Sequence, residues 1–264
     1  MDDFALAQKI NRLIRWRDSR PGREKFIQHK FDSAPFGNAY ACLSPGNESP
    51  FASANNNRVH LCGADGGLTR DGVMRLKGLF DEVGIRRFFV WLSPGSNVEA
   101  VRGWLTDAGL TRVPFVTYPT LTREPYEGRP VETDLEVREL EAGEAAGLAG
   151  RLDDAAWPEY LPSIGLPGHH HFIALDRDRP VASAVLCVFE ELGYLGVART
   201  AEADRRRGAQ SALIAKRIEK ARALGCRTLA SETLSIAPAS LSNLLKAGFQ
   251  TIYDKEVFER KPAD

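Results

Sequence analysis

Two stretches, one near the middle of the chain and one near its end, repeat the same order of elements. "LTDAGLTRVPFVTYPTLTRE" and "LLKAGFQTIYDKEVFER" each close a helix on Ala-Gly and an apolar residue. Each then runs into an aromatic-bearing strand ending in arginine or Glu-Arg. The preceding order matches as well. In the second half a helix over 208–224 leads to Gly225, a strand "RTLASET", a helix around "ASLSNLLKAGF" and the strand "TIYDKEVFER". In the first half a helix around "GVMRLKGLFDEVG" leads to a strand "RRFFVWL", a helix "NVEAVRGWLTDAGL" and a strand "FVTYPTLTRE". Such a doubled order predicts an α/β (α+β) chain, with a mixed twisted sheet flanked by helices and a tandem of two related halves. "TREPYEGRPVETD" carries Pro125, Gly128 and Pro130 without a period and reads as a linker. It places one domain at 1–124 and another at 134–264, with 125–133 between them. The 264 residues suffice for one large core or two modest ones.

The second half continues the pattern with a strand "LEVREL", a helix "AGEAAGLAGRL" and a loop "DDAAWPEYLPSIGLPGHHH". The strands "FIALDRD", "PVASAVLCVFE" and "GYLGVART" follow. They feed "ADRRRGAQSALIAKRIEKARALGC", where Arg205, Arg206 and Arg207 precede Gly208 at a helix start. A nucleic-acid patch, a phosphate cradle and a solvated face are the three readings. Lys+Arg and Asp+Glu both number 35, and the arginines have no interleaved aromatics, which disfavours nucleic acid. The first N–H groups of a helix lack internal partners and sit at its positive end, so a diphosphate placed there meets several donors at once. Gly208 removes a Cβ from that approach, the arginines add charge, and Ser211 offers a hydroxyl. Ile214, Ile218, Ala221 and Leu224 then form the packed face, with Lys216, Glu219 and Lys220 outward.

The run "LGVARTAEADRRRGAQSALIAKRIEKARALGC" resembles the coenzyme-A-binding segment of the GNAT superfamily of acyltransferases, and the resemblance covers about residues 134–260. The family pattern [QR]-x-x-G-x-[GA] falls on Arg205, Gly208 and Gln210, where Gln210 departs from the usual small residue. The resemblance implies a GNAT-like fold with acetyl-CoA as co-substrate, and a first half that is a degenerate repeat walling the acceptor cleft. "GVART" would splay from its neighbour and pair with the pantetheine arm, giving Val197, Ala198 and Thr200 as cofactor contacts. Arg205, Arg206, Arg207, Gly208, Ala209, Gln210 and Ser211 would hold the diphosphate. The N–H near Ala198 would stabilise the oxyanion of the tetrahedral intermediate. Ser240 and Asn243 either contact coenzyme A or satisfy their helix, and Trp157 and Tyr160 either line the acceptor pocket or cover the core. The implied activity is N-acetylation of a small-molecule primary amine by direct attack in a ternary complex. The alternative is a non-catalytic acyl-CoA-binding module.

Transfer to an amine calls for a base. Glu232, ending "LASET", is the first candidate, against a reading as a carboxylate satisfying nearby backbone or arginine; Glu190 and Glu191 come second. The family's tyrosine acid falls on Leu244 and its upstream asparagine on Ala237. A thiol with a pKa near ~8.5 leaves tolerably without an acid. His169, His170 and His171 alternate faces on a strand and cannot converge on one ion, so no metal is expected, with one histidine placed near the pocket. "HLCGADGGLTRDG" fits no nucleotide fingerprint and reads as turns. Phe26, Phe31, Phe36 and Tyr40 read as core or pocket wall. The four scattered cysteines suit a reducing compartment, and no apolar run reaches the ~20 residues of a membrane span. The expectation is a cytoplasmic monomer or homodimer with no nucleic-acid or membrane partner, whose second half holds coenzyme A by itself.

Overall fold

The computed structural model describes residues 3–20, 26–46, 56–62, 67–95, 97–124, 131–144 and 158–262. The first half runs α1 (Asp3–Arg17), β1 (Ile27–Lys30), β2 (Tyr40–Leu43), β3 (Arg58–Cys62), α2 (Arg70–Glu82), β4 (Phe88–Ser93), α3 (Val98–Asp107) and β5 (Thr111–Arg123). The second runs β6 (Glu136–Glu139), β7 (His169–Asp176), β8 (Arg179–Phe189), β9 (Leu192–Thr200), α4 (Ala209–Ala223), β10 (Thr228–Glu232), α5 (Pro238–Lys246) and β11 (Gln250–Arg260). The predicted helix at "AGEAAGLAGRL" is described only as a 3-10 turn at Ala142–Glu144; its remainder, the linker centre and Gly63 and Gly66 lie outside the described residues. Part of the turn stretch "HLC" is the end of β3.

Local chemistry explains the elements. Thr69 caps α2 by accepting from the Gly72 N–H at 3.1 Å, and Val73, Leu76 and Phe80 recur on its buried face. Buried on α4 are Ala212, Leu213, Ile214, Ile218 and Ala221, together with Arg217, which the helical pattern did not single out. Leu224 is exposed rather than packed, because the helix stops at Ala223; Cys226, after the positive-φ Gly225, takes the buried place.

The described strands form a single eleven-stranded sheet in the order β1-β2-β3-β4-β11-β5-β10-β9-β8-β7-β6. The halves exchange their last strands. β5, from the first half, lies between β10 and β11, while β11, from the second, lies between β4 and β5. The antiparallel β5–β11 pair thus joins two similar wings, one of five strands ending in β11 and one of six beginning with β5. Each wing has its own core: α2 and α3 pack on the first, together with Phe258 of β11, and α4 and α5 on the second. A third cluster binds α1 through Leu6, Ile10, Leu13 and Ile14 to Tyr40 of β2, to Val185, Cys187, Leu192 and Tyr194 of β8 and β9, and to Tyr253 of β11. A second half that holds its ligand alone would lack both neighbours of β11.

Candidate functional site

β9 and β10 pair in parallel over Leu192–Tyr194 and Thr228–Ala230 and then part. Ser231 Oγ donates to the Leu195 carbonyl at 2.7 Å at the apex, while the other edge of β10 pairs with β5 over Leu229–Glu232. The parting opens a cavity of about 1030 Å³. On its β9 side Val197 has φ +48°, a left-handed conformation rare for a β-branched residue. The β8–β9 register shifts at the same place, with Ser183 facing Arg199 and Val185 facing Gly196, so Val197 and Ala198 fall in the gap. Arg217 reaches under this bulge from α4 and donates to the Val185 and Gly196 carbonyls, both at 3.3 Å. Burial pushes its guanidinium down to about 9.

The N-terminus of α4 faces the same cavity. Its N-cap, Gly208, has φ +80°, and a Cβ there would come within 3.3 Å of the Glu132 carbonyl. Glycine is thus needed for backbone conformation as well as for open space. The first intrahelical bond runs from the Ala212 N–H to the Gly208 carbonyl at 3.0 Å, so the N–H groups of Ala209, Gln210 and Ser211 lack a helical acceptor. The Gln210 side chain donates to Thr200 Oγ1 at 2.7 Å, which turns it aside and leaves its backbone open.

Val197, Ala198, Thr200, Arg205, Arg206, Gly208, Ala209, Gln210, Ser211, Ser240 and Asn243 all line this one cavity. Arg207 does not. Its guanidinium binds Asp134, Asp176 and Asp204 at 2.5, 2.7 and 3.1 Å, fixing the turn to β6 and β7 rather than facing a ligand. Leu244 and Ala237 stand at the cavity wall, and α5 begins without a side-chain cap.

Glu232 also lines the cavity, with its side chain fully buried. Oε1 accepts from Thr120 at 3.1 Å and forms an ion pair with Lys255; Oε2 accepts from the Tyr194 phenol at 3.1 Å. Burial and then the Glu232 carboxylate hold the Tyr194 phenol well above its usual range, so it stays protonated. Glu190 and Glu191 lie away from the site, in a surface turn facing Arg12 and Arg227 at 3.5 and 3.3 Å. The histidines also leave the cavity. His169 stacks on Trp16 with ring centroids 4.5 Å apart, His170 meets Glu139 at 2.7 Å, and His171 meets Ser163 at 2.9 Å. Strand alternation and the turn before β7 send them to three separate partners.

The far end of the cavity comes largely from the first half: Arg17, Arg58, His60, Trp91 and Tyr118, joined by Tyr160. Trp157 lies outside the described residues. Lys255 was legible as a lysine on the buried face of β11, between Tyr253 and Val257, and Tyr194 as the same-face neighbour of Gly196 on β9. The arginines gave no comparable signal, because their convergence depends on tertiary structure.

Residues 135–249 match the family model described as Acetyltransferase (GNAT) family. Among solved structures, a GCN5-related N-acetyltransferase from Kribbella flavida aligns with TM-score 0.64 and 14% identity, covering 100% of this chain and 97% of that one. Another GCN5-related N-acetyltransferase, from Sphaerobacter thermophilus, aligns with TM-score 0.58 and 13% identity over 88% of this chain and 81% of that one. A tandem GNAT protein from the clavulanic acid biosynthesis pathway aligns with TM-score 0.60 and 10% identity, covering 86% and 79%. These are likenesses of fold. No curated protein matched the sequence. No helix among the described residues is long and apolar enough to cross a membrane.

Proposed function

Taking the GNAT-family domain at residues 135–249 as the premise, we propose that the chain is an acetyl-CoA-dependent N-acetyltransferase acting on a primary amine of a small molecule. The observation that carries this is the cavity at the parting of β9 and β10. Helix N–H donors face it at one end, and a buried carboxylate lines it as well.

The residues present fit the co-substrate. The N–H groups of Ala209, Gln210 and Ser211, with exposed Arg205 and Arg206, suit a diphosphate. Val197, Ala198 and Thr200 border the place of an extended arm beside β9, with Ser240 and Asn243 on α5 lining the same cavity. Bound acetyl-CoA supplies an activated acetyl thioester for direct attack by the amine in a ternary complex. Ala198 lies in the gap of the β8–β9 ladder, and we assign its N–H the stabilisation of negative charge on a thioester oxygen. Glu232 Oε2, which accepts from Tyr194, takes the proton of the incoming amine, directly or through a water. A thiol with a pKa near ~8.5 leaves as the thiolate without an acid, so Leu244 at the family's tyrosine position does not stop the step. The Leu244 position is the feature that favours the alternative, a binding-only acyl-CoA module.

Calorimetry should show one coenzyme A site per chain, and an amine panel followed by thiol release should show turnover. Glu232→Gln should lower kcat/KM by about 10²-fold with coenzyme A affinity nearly intact, and residual activity should climb with pH as free amine accumulates. Matching rates and pH profiles would remove Glu232 from the mechanism. Tight binding with no turnover on any amine would favour the binding-only module.

A further inference from the structure

Three arginines converge on one carboxylate at the first-half end of the cavity. Arg17 Nε and Arg20 Nη1 donate to Asp18 Oδ1 at 2.9 and 3.2 Å, and Arg58 Nη2 donates to Oδ2 at 2.9 Å. The Asp18 side chain is fully buried, and no arginine side chain of the three is more than 8% exposed. Burying an ion without its counter-charge costs several kcal/mol, and one carboxylate answers only one of three guanidiniums. The neighbouring Lys255–Glu232 pair is neutral as a unit. His60 adds no charge, since burial and then Arg58 hold its imidazole well below its usual range. Among the described residues two positive charges are left over, and Arg17 and Arg58 both line the cavity.

Holding α1 against β3 does not use up these groups. Arg17 donates through Nε, leaving both terminal nitrogens without a hydrogen bond among the described residues. Arg58 spends Nε on His60 and Nη2 on Asp18, and Nη1 has no hydrogen bond among the described residues. On the same wall the Trp91 indole N–H and His60 Nδ1 are buried without hydrogen-bond partners among the described residues. Because His60 Nε2 accepts from Arg58, Nδ1 carries the hydrogen, so both are donors in want of an acceptor.

Position fixes the size of what belongs there. A Cβ built on Gly196 would stand 3.7 Å from Arg17 Nη1. Gly196 is two residues before Ala198, and consecutive Cα atoms stand about 3.8 Å apart, so the guanidinium lies within roughly 11 Å of the Ala198 backbone, the reach of a short chain. We infer that the acceptor is a small amine bearing a carboxylate, an amino acid or short ω-amino acid, whose carboxylate is gripped by Arg17 and Arg58 while its amine meets the thioester. This rests on the transferase reading above. A carboxylate suits the site better than a phosphate: its two oxygens match the terminal fork of Arg17, and the aromatic walls of Trp91 and Tyr118 suit a carbon chain more than a hydrated dianion.

The test uses the full chain with acetyl-CoA. Glycine, β-alanine, γ-aminobutyrate and glutamate are compared with their methyl esters and decarboxylated amines, and with phosphoethanolamine and spermidine. A charge-assisted hydrogen bond is worth about 1.5–3 kcal/mol, so kcat/KM for the preferred acid should exceed that of its decarboxylated amine by about 10- to 100-fold. Arg17→Met should abolish that preference by raising the acceptor KM while the acetyl-CoA KM stays within about twofold, and Arg17→Lys should restore part of it. The comparison of substrates on the unmodified chain needs no variant to fold. Esters, spermidine or decarboxylated amines used as well as the acids would overturn the inference, as would turnover of none of the acids by a chain that binds coenzyme A. A preference for phosphoethanolamine would overturn it in favour of a phosphate-bearing acceptor. Absence of coenzyme A binding would overturn the transferase reading, and this inference with it.

Discussion

Lys255 and Glu232 should behave as one buried unit, and a double-mutant cycle measures it. The lysine side chain is 2% exposed and the glutamate 0%. Lys255→Met removes the ammonium and leaves a carboxylate supported by the neutral hydroxyls of Thr120 and Tyr194 alone. Stranding a buried charge in this way costs about 3–5 kcal/mol. Glu232→Gln strands the ammonium instead, at a similar cost of about 3–5 kcal/mol. Independent effects would sum to about 6–10 kcal/mol, enough to unfold a domain of ordinary stability. With both charges gone neither is stranded, so the double variant should be no worse than either single one. The coupling energy should then be several kcal/mol, on the scale of the stranding cost itself. Urea unfolding of the four proteins, each with the same denaturant dependence, supplies the numbers. Coupling below about 0.5 kcal/mol would refute the buried pair.

Arg205 and Arg206 changed together to alanine should weaken coenzyme A binding by about tenfold or more in calorimetry, through loss of charge at the diphosphate. Arg207→Ala should leave that affinity unchanged and lower stability, because its partners are Asp134, Asp176 and Asp204; a loss of affinity equal to the double variant's would reverse the assignment. Residues 131–264 alone should show no cooperative unfolding transition, and co-expression with residues 1–130 should restore it; a stable fragment that binds coenzyme A would show the exchanged strands to be dispensable. Burial holds His171 down at about 3, so between the ordinary histidine range near 6.5 and that value the unfolded chain binds the extra proton. Stability should therefore fall as pH drops through that window, by about 1.4 kcal/mol per pH unit for this one group, and His171→Gln should flatten the slope in urea titrations.

The chemistry of the second wing was legible because it is local. A helix start after arginine and glycine, and a strand leading into it, are properties of contiguous residues, and the structure assembles them around one cavity. Arg207 was misjudged for the same reason: three aspartates from separate segments claim it, and nearness to Arg205 and Arg206 in sequence gives no hint of that. Likewise the first-half end of the cavity draws on α1, β3, β4 and β5, so Arg17, Arg58 and Trp91 meet only after the sheet is complete. The duplication was visible in the matched Ala-Gly helix ends, yet the exchange of strands was not. Each strand's pattern of buried and exposed residues is the same whichever wing supplies its neighbour.

The exchange also sets a timetable for a nascent chain. β4 ends at Ser93, and its partner β11 begins only at Gln250, 250 − 93 = 157 residues later. At about 5–20 residues per second, ribosomal synthesis leaves that edge open for on the order of ten seconds or more. The edge reads FFVWLS and is buried along its whole length in the finished protein, which makes it an adhesive template while it waits. The same arrangement gives the first wing a structural role separate from its share of the cavity. A lineage could let its chemistry lapse, but deleting it would strip β11 of both neighbours.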